Sequence, residues 1–203
     1  MKKLPIIIIS GPPCTGKTTL AEKLATIYHL PYLSKDDIKE IIFDSLGWSD
    51  RKWSRKVGLL SYNLVYYFGK KLLPVRKTFI MESNFKPGYH NIRIHKIFSD
   101  LRFYPIQIFC HDDTESIIKK FTYRAGAGQR HPGHVEHLMA EELRQALKHG
   151  VYKPLQIGGT VINAEAKQCH SPDILPLLKS IEKELPFKFK LIRIFSNLFR
   201  KEY

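Results

Sequence analysis

Short apolar runs alternate along the chain with longer stretches in which apolar residues recur at helical spacing. Residues 4–10 are almost entirely apolar, which is typical of a strand covered on both faces of a parallel sheet. Four more short runs, at 31–33, 78–81, 104–110 and 159–163, predict four further strands. Helical stretches separate them, so the pattern predicts an α/β fold with a five-stranded parallel sheet and crossover helices.

Three helices are predicted in the first half of the chain. The first covers 17–29 and the second covers 35–46. Ser49-Asp50 caps a long third helix that runs to about Leu73. The apolar positions that recur along this third helix predict its core-facing side: Trp53, Val57, Leu60, Leu64, Phe68 and Leu72.

The region after the fourth strand combines a capped helix with an aperiodic loop. Asp112 and Glu115 have capping-box spacing ahead of a helix over 113–123, which favours a structural role for Asp112 over that of a metal-binding acid. The glycine-rich segment 125–134 has no periodicity and is typical of a lid.

Three histidines in and after this loop lie three residues apart. Pro132-Gly133 breaks the helix that would bring His131, His134 and His137 to one face, and no partner ligand is obvious. We therefore expect lid or solvated histidines rather than a structural metal site.

Composition is typical of a cytoplasmic globular protein. The 203 residues and 43% apolar content suit one domain with a full core. The apolar run near the start is too short for a secretion signal, and no later run is long enough for a transmembrane helix. Cys14, Cys110 and Cys169 form no CxxC pair and are interpreted as free thiols in a reducing compartment.

The chain is strongly basic, with a formal net charge of +14. This charge favours polyanionic partners, namely nucleotides, nucleic acid or an anionic membrane surface. A basic solvated surface without such a partner is an equal alternative.

The segment GPPCTGKT at 11–18 matches GxxxxGK[ST] directly after a strand and before a helix. In such a loop the glycines let backbone N–H groups face phosphates, and the helix N-terminus adds a favourable dipole. Lys17 is expected to neutralise the β and γ phosphates and also to act in catalysis, and the Thr18 hydroxyl is expected to ligate Mg²⁺. Cys14 is interpreted as a small filler rather than a redox-sensitive thiol. The predicted nucleotide-binding residues are Gly11, Pro12, Pro13, Cys14, Thr15, Gly16, Lys17, Thr18 and Thr19.

The motifs of guanine-nucleotide-binding proteins are missing from the sequence. No asparagine is followed by lysine, so the guanine-reading NKxD is absent. The DSLG at 44–47 has the DxxG spacing but lies at a helix end, where it is better explained by capping. A GTPase is therefore not expected.

The stretch SKDDIKE at 34–40 follows the second strand. A carboxylate there can accept the proton of a hydroxyl that attacks the γ-phosphate. With the phosphate loop, this stretch resembles P-loop kinases related to polynucleotide kinase, zeta toxin and chloramphenicol phosphotransferase, including the small "predicted kinase" ATPases. The resemblance covers about residues 4–165. It implies Asp36 as the base and Lys39 in place of the family's arginine, with Asp37 as a competing base and helix capping by either acid as a structural alternative.

The same resemblance implies further site residues. The third strand ends in FIMESNF, where Glu82 and Asn84 match residues that contact the substrate hydroxyl or metal-bound water; a solvated strand end is the alternative. Lid arginines in that family stabilise charge on the transferring phosphoryl group. Arg124 matches this catalytic role, Lys120 and Arg130 match substrate-binding positions, and His131 is a further lid candidate, all by resemblance.

The last residues form a separate basic segment. Apolar residues at helical spacing with lysines and arginines around them predict a basic amphipathic helix over 186–203, although the alternation FKFK also permits a strand. This segment suits packing on the domain or on a second subunit, with an anionic membrane or nucleic acid as alternatives. We expect a kinase domain over 1–185, with a lid at about 124–137.

These features together predict a phosphotransferase that moves the γ-phosphoryl of Mg-ATP to a hydroxyl of an acceptor that the sequence does not identify. Two alternatives remain open. One is an ATP-hydrolysing regulatory protein without a small acceptor, and the other is a 5′-hydroxyl polynucleotide kinase, which the +14 charge favours.

Overall fold

A computed structural model describes residues 3–98, 102–186 and 189. Its single sheet has five parallel strands in the order β2-β3-β1-β4-β5. The strands are β1 Leu4–Ser10, β2 Tyr32–Ser34, β3 Ile80–Glu82, β4 Phe103–His111 and β5 Thr160–Glu165. The predicted α/β fold with a five-stranded parallel sheet is confirmed; β1 has the predicted ends, and the ends of the other four strands are displaced by one or two residues.

Eight α-helices connect and flank the described strands. They are α1 Lys17–Tyr28, α2 Lys35–Leu46, α3 Arg51–Leu72, α4 Pro87–Phe98, α5 Thr114–Gly126, α6 Ala140–Lys148, α7 Ala166–His170 and α8 Leu175–Glu184. Two short 3₁₀ helices, Pro132–His134 and Glu136–Leu138, occupy the segment between α5 and α6.

The apolar run of β1 is explained by burial on both faces of the sheet. Ile7 and Ile9 belong to the core that contains α1 and α8, whereas Ile6 and Ile8 belong to the core that contains α3 and α4. All four isoleucines are fully buried. The molecule therefore has three layers, with β1 in the middle of the central sheet.

The predicted core stripe of α3 is partly wrong. Leu60 and Phe68 remain 44% and 45% exposed. The buried side carries small residues instead, including Ser61 and Gly69, together with Val65. A Cβ at Gly69 would lie 3.2 Å from the Phe79 ring, so small residues let α3 approach the sheet closely. Periodicity identified the helix but placed its buried face too far towards the large residues.

The predicted cap of α5 is displaced by one residue. Asp113 is the N-cap, because its side chain accepts a hydrogen bond from the backbone N–H of Ser116 at 2.8 Å. Asp112 accepts from the Asp113 N–H at 2.9 Å and from the Ser116 hydroxyl at 2.9 Å. Its role is structural, as expected, but it is not the capping residue.

The carboxyl ends of the central strands meet at one edge of the sheet. Glu82 at the end of β3 is in register with Ile9 of β1 and with Ser34 of β2. The phosphate loop follows β1 and the DDIK segment follows β2, so the topology brings both beside Glu82.

Two further expectations concern the membrane and the C-terminal segment. Among the described residues, no helix is both long and apolar enough to cross a bilayer. Apart from Pro186 and Phe189, the predicted amphipathic segment 186–203 lies outside the described residues.

Candidate active site

At two positions of the loop 11–18, the backbone has a conformation and a close contact that only glycine can accommodate. Gly11 has φ +135° and a Cβ there would lie 2.0 Å from the carbonyl oxygen of Cys110. Gly16 has φ +80° and a Cβ there would lie 2.7 Å from the Cβ of Cys169. The loop therefore packs directly on β4 and α7, as a backbone phosphate cradle requires.

Lys17 begins α1 and lies along the inside of the loop. Its Nζ donates to the carbonyl oxygen of Pro12 at 2.6 Å, and the side chain is buried. Burial lowers the pKa of Lys17, and nearby Glu82 opposes that effect. The ammonium has further donors for a phosphate bound in the loop.

Cys14 fills space beside the loop. It packs against Ile117 and Phe121 of α5, and burial raises the pKa of its thiol. A raised pKa lowers the thiolate fraction, which favours the interpretation as a filler over that of a redox-sensitive thiol.

The two aspartates at the start of α2 have different surroundings. Ser34 is the N-cap, accepting from the Asp37 N–H at 3.1 Å, and its hydroxyl donates to the exposed Asp37 carboxylate at 2.8 Å. Asp36 lines the cavity, with Lys35 at 2.7 Å and Arg130 in direct contact. Burial alone would raise the pKa of Asp36, but these two cations hold it well below its ordinary value. Asp36 rather than Asp37 is therefore placed to act on a ligand.

Glu82 is a buried carboxyl between the loop and α2. The Tyr32 hydroxyl donates to it at 3.4 Å, and the Ser34 hydroxyl lies 3.5 Å away. Burial raises its pKa to about 7, against the opposing effect of Lys17. Asn84, two residues on, also lines the cavity. The structure thus brings both predicted residues of this segment, Glu82 and Asn84, to the cavity.

The predicted lid segment contributes residues to the cavity and forms ion pairs there. Arg124 donates from Nε to the Glu136 carboxylate at 3.0 Å. Arg130 contacts Asp36, lies 3.5 Å from Glu40 and 4.0 Å from Glu136. Both predicted lid arginines therefore reach the cavity, where Glu136 joins them.

The RHPGH histidines attach this lid to α2. His131 lies 3.1 Å from the Asp44 carboxylate and stacks on the Phe43 ring at 5.2 Å. His134 contacts the Glu40 carboxylate at 2.9 Å. Among the described residues, no group of three His, Cys, Asp or Glu side chains could hold a metal ion.

Lys120 lies apart from the other predicted site residues. Its ammonium pairs with Asp112 at 2.7 Å on an exposed face of α5, and it does not line the cavity. Lys120 and Arg124 are four residues apart and share a face of α5, but the Lys120 ammonium pairs with Asp112 ahead of the helix, whereas Arg124 pairs with Glu136. The expected substrate contact of Lys120 therefore has no support from its position.

These groups surround one cavity of about 680 Å³. Sequence reasoning missed several of its polar lining residues, which come from α3, from the residue before α4, and from the segment 136–142: Arg51, Arg55, Tyr62, Lys86, Glu136 and Glu142. None belongs to a motif, and the only available signal was the basic character of the start of α3.

The residues present fit a nucleotide with Mg²⁺. The loop supplies a backbone cradle and Lys17, and the Thr18 hydroxyl and Glu82 carboxyl both face the cavity. Hydroxyl and carboxylate oxygens, completed by phosphate oxygens and water, are the ligands that Mg²⁺ takes in phosphoryl-transfer sites. Thr18 and Glu82 would therefore hold the ion.

Comparison with known proteins finds a solved structure at substantial identity. No family model and no curated protein matches the chain. Among solved structures, a "putative kinase" from Chloroflexus aurantiacus is 34% identical with a TM-score of 0.80, covering 91% of this chain and 100% of that one.

More distant structures share the fold alone. A sugar kinase from Janibacter sp. HTCC2649 is 12% identical with a TM-score of 0.50, covering 89% of this chain and 93% of that one. A chain of the Pnkp1/Rnl/Hen1 RNA repair complex is 17% identical with a TM-score of 0.51, covering 79% of this chain and 51% of that one. By its 34% identity over nearly the full length of both chains, this protein belongs to the same family as the Chloroflexus protein, within the P-loop kinase fold.

Proposed function

We propose that this protein transfers the γ-phosphoryl group of Mg-ATP to a hydroxyl of an acceptor molecule. The observation that carries the proposal is that Asp36 and the phosphate loop line the same cavity. A phosphate cradle alone is shared by many nucleotide-hydrolysing proteins. An ionised carboxylate in the same cavity as the cradle adds the group that an attacking hydroxyl needs.

Each side chain has a distinct task in this reaction. The loop N–H groups and Lys17 bind the phosphates, and Asp36 accepts the proton of the acceptor hydroxyl. Mg²⁺ at Thr18 and Glu82 would neutralise phosphate charge. Arg124 and Arg130 stabilise negative charge on the transferring group, since their planar guanidinium groups suit phosphate oxygens.

The contact between Arg130 and Asp36 links the lid to the base. In this structure Arg130 is shared among Asp36, Glu40 and Glu136. Bound phosphates offer Arg130 a stronger anionic partner. When Arg130 binds them in place of Asp36, the Asp36 carboxylate is free to meet the acceptor hydroxyl. Nucleotide binding thereby prepares the base.

Substitution of Asp36 tests this proposal. Asp36→Asn removes the proton acceptor with little change in shape, so transfer of label from γ-labelled ATP to pooled hydroxyl compounds should fall by about 10²–10⁴-fold. ATP binding, measured by calorimetry, should stay equal or tighten because Arg130 is released.

The neighbouring aspartate provides the control. Asp37→Asn alters an exposed carboxylate outside the cavity and should leave transfer within about threefold of the unmodified protein. Undiminished transfer by Asp36→Asn would contradict the assignment. Phosphate release that is insensitive to every acceptor would favour the regulatory ATPase instead.

A further inference from the structure

Beyond the phosphate loop and the two arginines Arg124 and Arg130, five more cations line the cavity. We call this set the acceptor wall: Lys35, Lys39, Arg51, Arg55 and Lys86. Lys35 and Lys39 lie on α2, Arg51 and Arg55 lie on α3, and Lys86 directly precedes α4. With Lys17, Arg124 and Arg130, eight lysines and arginines line the cavity, against four carboxylates.

The four carboxylates do not neutralise the acceptor wall. Glu82 accepts hydrogen bonds from the Tyr32 and Ser34 hydroxyls rather than from a cation of the wall. Asp36 is shared between Lys35 and Arg130, and Glu136 is paired with Arg124. Glu142 serves both arginines of the wall, at 2.9 Å from Arg51 and 3.3 Å from Arg55. Within the described part of the chain, neither Lys39 nor Lys86 has a carboxylate at ion-pair distance.

Lys39 is the centre of this excess charge. The residue is only 4% exposed, its Nζ donates to the Ser54 hydroxyl at 2.8 Å, and the ammonium lies 5.1 Å from the centre of the Phe43 ring. A buried ammonium with a neutral partner is costly, and this one retains unused donors. Burial, followed by the neighbouring Lys35, lowers its pKa to about 7. An anion beside it would restore the charged form.

Two neighbours extend the same binding surface. The Nε of Arg51 is buried and has no hydrogen-bond partner among the described residues. Gly58 on α3 leaves space in front of the lysines, since a Cβ there would lie 3.8 Å from Lys39 Cε and 3.9 Å from Lys35 Nζ. Donors therefore converge from two helices on a space that no protein side chain fills.

We propose that the acceptor is a small anionic alcohol whose phosphate or carboxylate group binds at Lys39, between Arg51 and Lys86. The inference rests on the proposed function and names the substrate class of the same site. A phosphomonoester suits the wall better than a carboxylate, because donors that approach from several directions match a tetrahedral dianion. The acceptor hydroxyl then lies towards Asp36 and the phosphate loop.

The burial of Lys39 favours a small acceptor over a polynucleotide. A polymer that passes across the cavity mouth would be held by exposed cations along its backbone. A terminal anionic group can instead enter the cavity and reach a lysine that is 96% covered. A polynucleotide with a free 5′-hydroxyl is therefore included as a competing outcome of the test.

The test uses matched pairs of acceptors that differ only in the anionic group. Glycerol and glycerol 3-phosphate, ribose and ribose 5-phosphate, sorbitol and gluconate, and a short oligonucleotide with a free 5′-hydroxyl are each incubated with the protein and γ-labelled ATP. We expect the anionic member of at least one pair to accept label about 30-fold or more better than its neutral partner, on the scale of a buried charge contact. Comparison of phosphates with gluconate identifies the anionic group.

Three variants assign that preference to the wall. Lys39→Met removes the ammonium while keeping an unbranched stem on Phe43, and should abolish most of the preference. Lys39→Arg keeps the charge and should preserve part of it. Lys56→Met, an exposed position of α3 outside the cavity, removes a charge of the same kind and should change nothing.

A second readout separates failure of this inference from failure of the proposed function. Binding of the same compounds to the unmodified protein and to Lys39→Met is measured by calorimetry without ATP. The inference is overturned if neutral alcohols accept label as well as anionic ones do, or if the oligonucleotide alone accepts it. Either result would still support the proposed phosphotransferase.

The remaining outcomes concern a protein that transfers no label. Lys39-dependent binding of the anionic compounds would then support the anion site while contradicting the proposed function. Absence of both transfer and Lys39-dependent binding contradicts both.

Discussion

The phosphate loop and the acceptor wall line the same cavity but are constructed differently. The loop is a continuous segment, 11–18, in which backbone groups and Lys17 face the ligand. The acceptor wall takes five side chains from residues 35–86, on α2, on α3 and on the segment just before α4. The loop is a local motif, whereas the wall exists only after the helices have packed.

The two sides also differ in how their charges are compensated. Lys17 has a carbonyl oxygen at 2.6 Å and the buried Glu82 in its surroundings. Lys39 has a hydroxyl, an aromatic ring and mainly other cations. A buried cation without an acidic partner lowers the stability of the folded state. Such a residue is more readily explained by ligand binding than by folding.

The largest effect is expected for a substitution in the phosphate loop, and it concerns ATP affinity. In Gly16→Ala the new Cβ meets Cys169 at 2.7 Å in a backbone conformation that alanine disfavours by about 1–2 kcal/mol. ATP affinity should fall by about 100-fold or more, since the clash adds to that cost. Calorimetric titration with ATP measures it.

Gly88→Ala is the matched control for that variant. Gly88 has open space around its Cβ position and lies in the first turn of α4. Its ATP affinity should match that of the unmodified protein. Normal ATP binding by Gly16→Ala would contradict the role of the loop as the phosphate site.

A smaller effect is expected for a substitution beside the acceptor wall, which should weaken acceptor binding alone. Gly58→Leu fills the space in front of Lys35 and Lys39, so acceptor KM should rise about tenfold or more while ATP affinity stays within about twofold. Gly58→Ala makes only ordinary contacts, and it should keep normal transfer while stabilising α3 by about 0.5–1 kcal/mol. Loss of ATP binding in Gly58→Leu would show that the two sides are not separable. Steady-state kinetics with both substrates provides the measurement.

The smallest effect concerns stability against pH in the nucleotide-free protein. The pKa of Glu82 is raised from 4.5 to about 7, so its stabilising contribution is present below pH 4.5 and is lost as pH rises through 7. The pKa of Lys39 is lowered from 10.5 to about 7, so its cost is present below pH 7 and is relieved as pH rises towards 10.5. Together these two groups contribute a stability minimum near pH 7.

Urea unfolding between pH 5 and 9.5 checks this prediction. In the unmodified protein, stability should fall as pH rises from 5 to 7 and should rise again from 7 to 9.5. Glu82→Gln should remove the fall, and Lys39→Met should remove the rise. Curves of both variants that run parallel to that of the unmodified protein would contradict the assigned shifts.

Sequence reasoning was most successful where the determinants are local. Neighbouring residues were enough to predict the phosphate loop, the succession of strands and helices along the chain, and DDIK as a segment of the site. Asp36 and Asp37 could not be separated from the sequence, because the difference arises from Ser34 capping α2 and Arg130 reaching Asp36 across the fold.

The mistaken details also have physical causes. The buried face of α3 is set by close packing of small residues such as Ser61 and Gly69, which a pattern of large apolar residues does not indicate. Lys120 was matched by its spacing from Arg124 alone, and its ammonium pairs instead with Asp112 ahead of α5. Glu136 was missed because its importance comes from two arginines that converge on it only after folding.

The most direct test of the central claim follows the fate of the γ-phosphoryl group. The protein is incubated with γ-labelled ATP, Mg²⁺ and the matched acceptor pairs, and the label is partitioned between acceptor and inorganic phosphate. We predict label on an anionic hydroxyl compound, with the transfer lost in Asp36→Asn and preserved in Asp37→Asn. Label found only in inorganic phosphate, at a rate that no acceptor changes, would contradict a phosphotransferase.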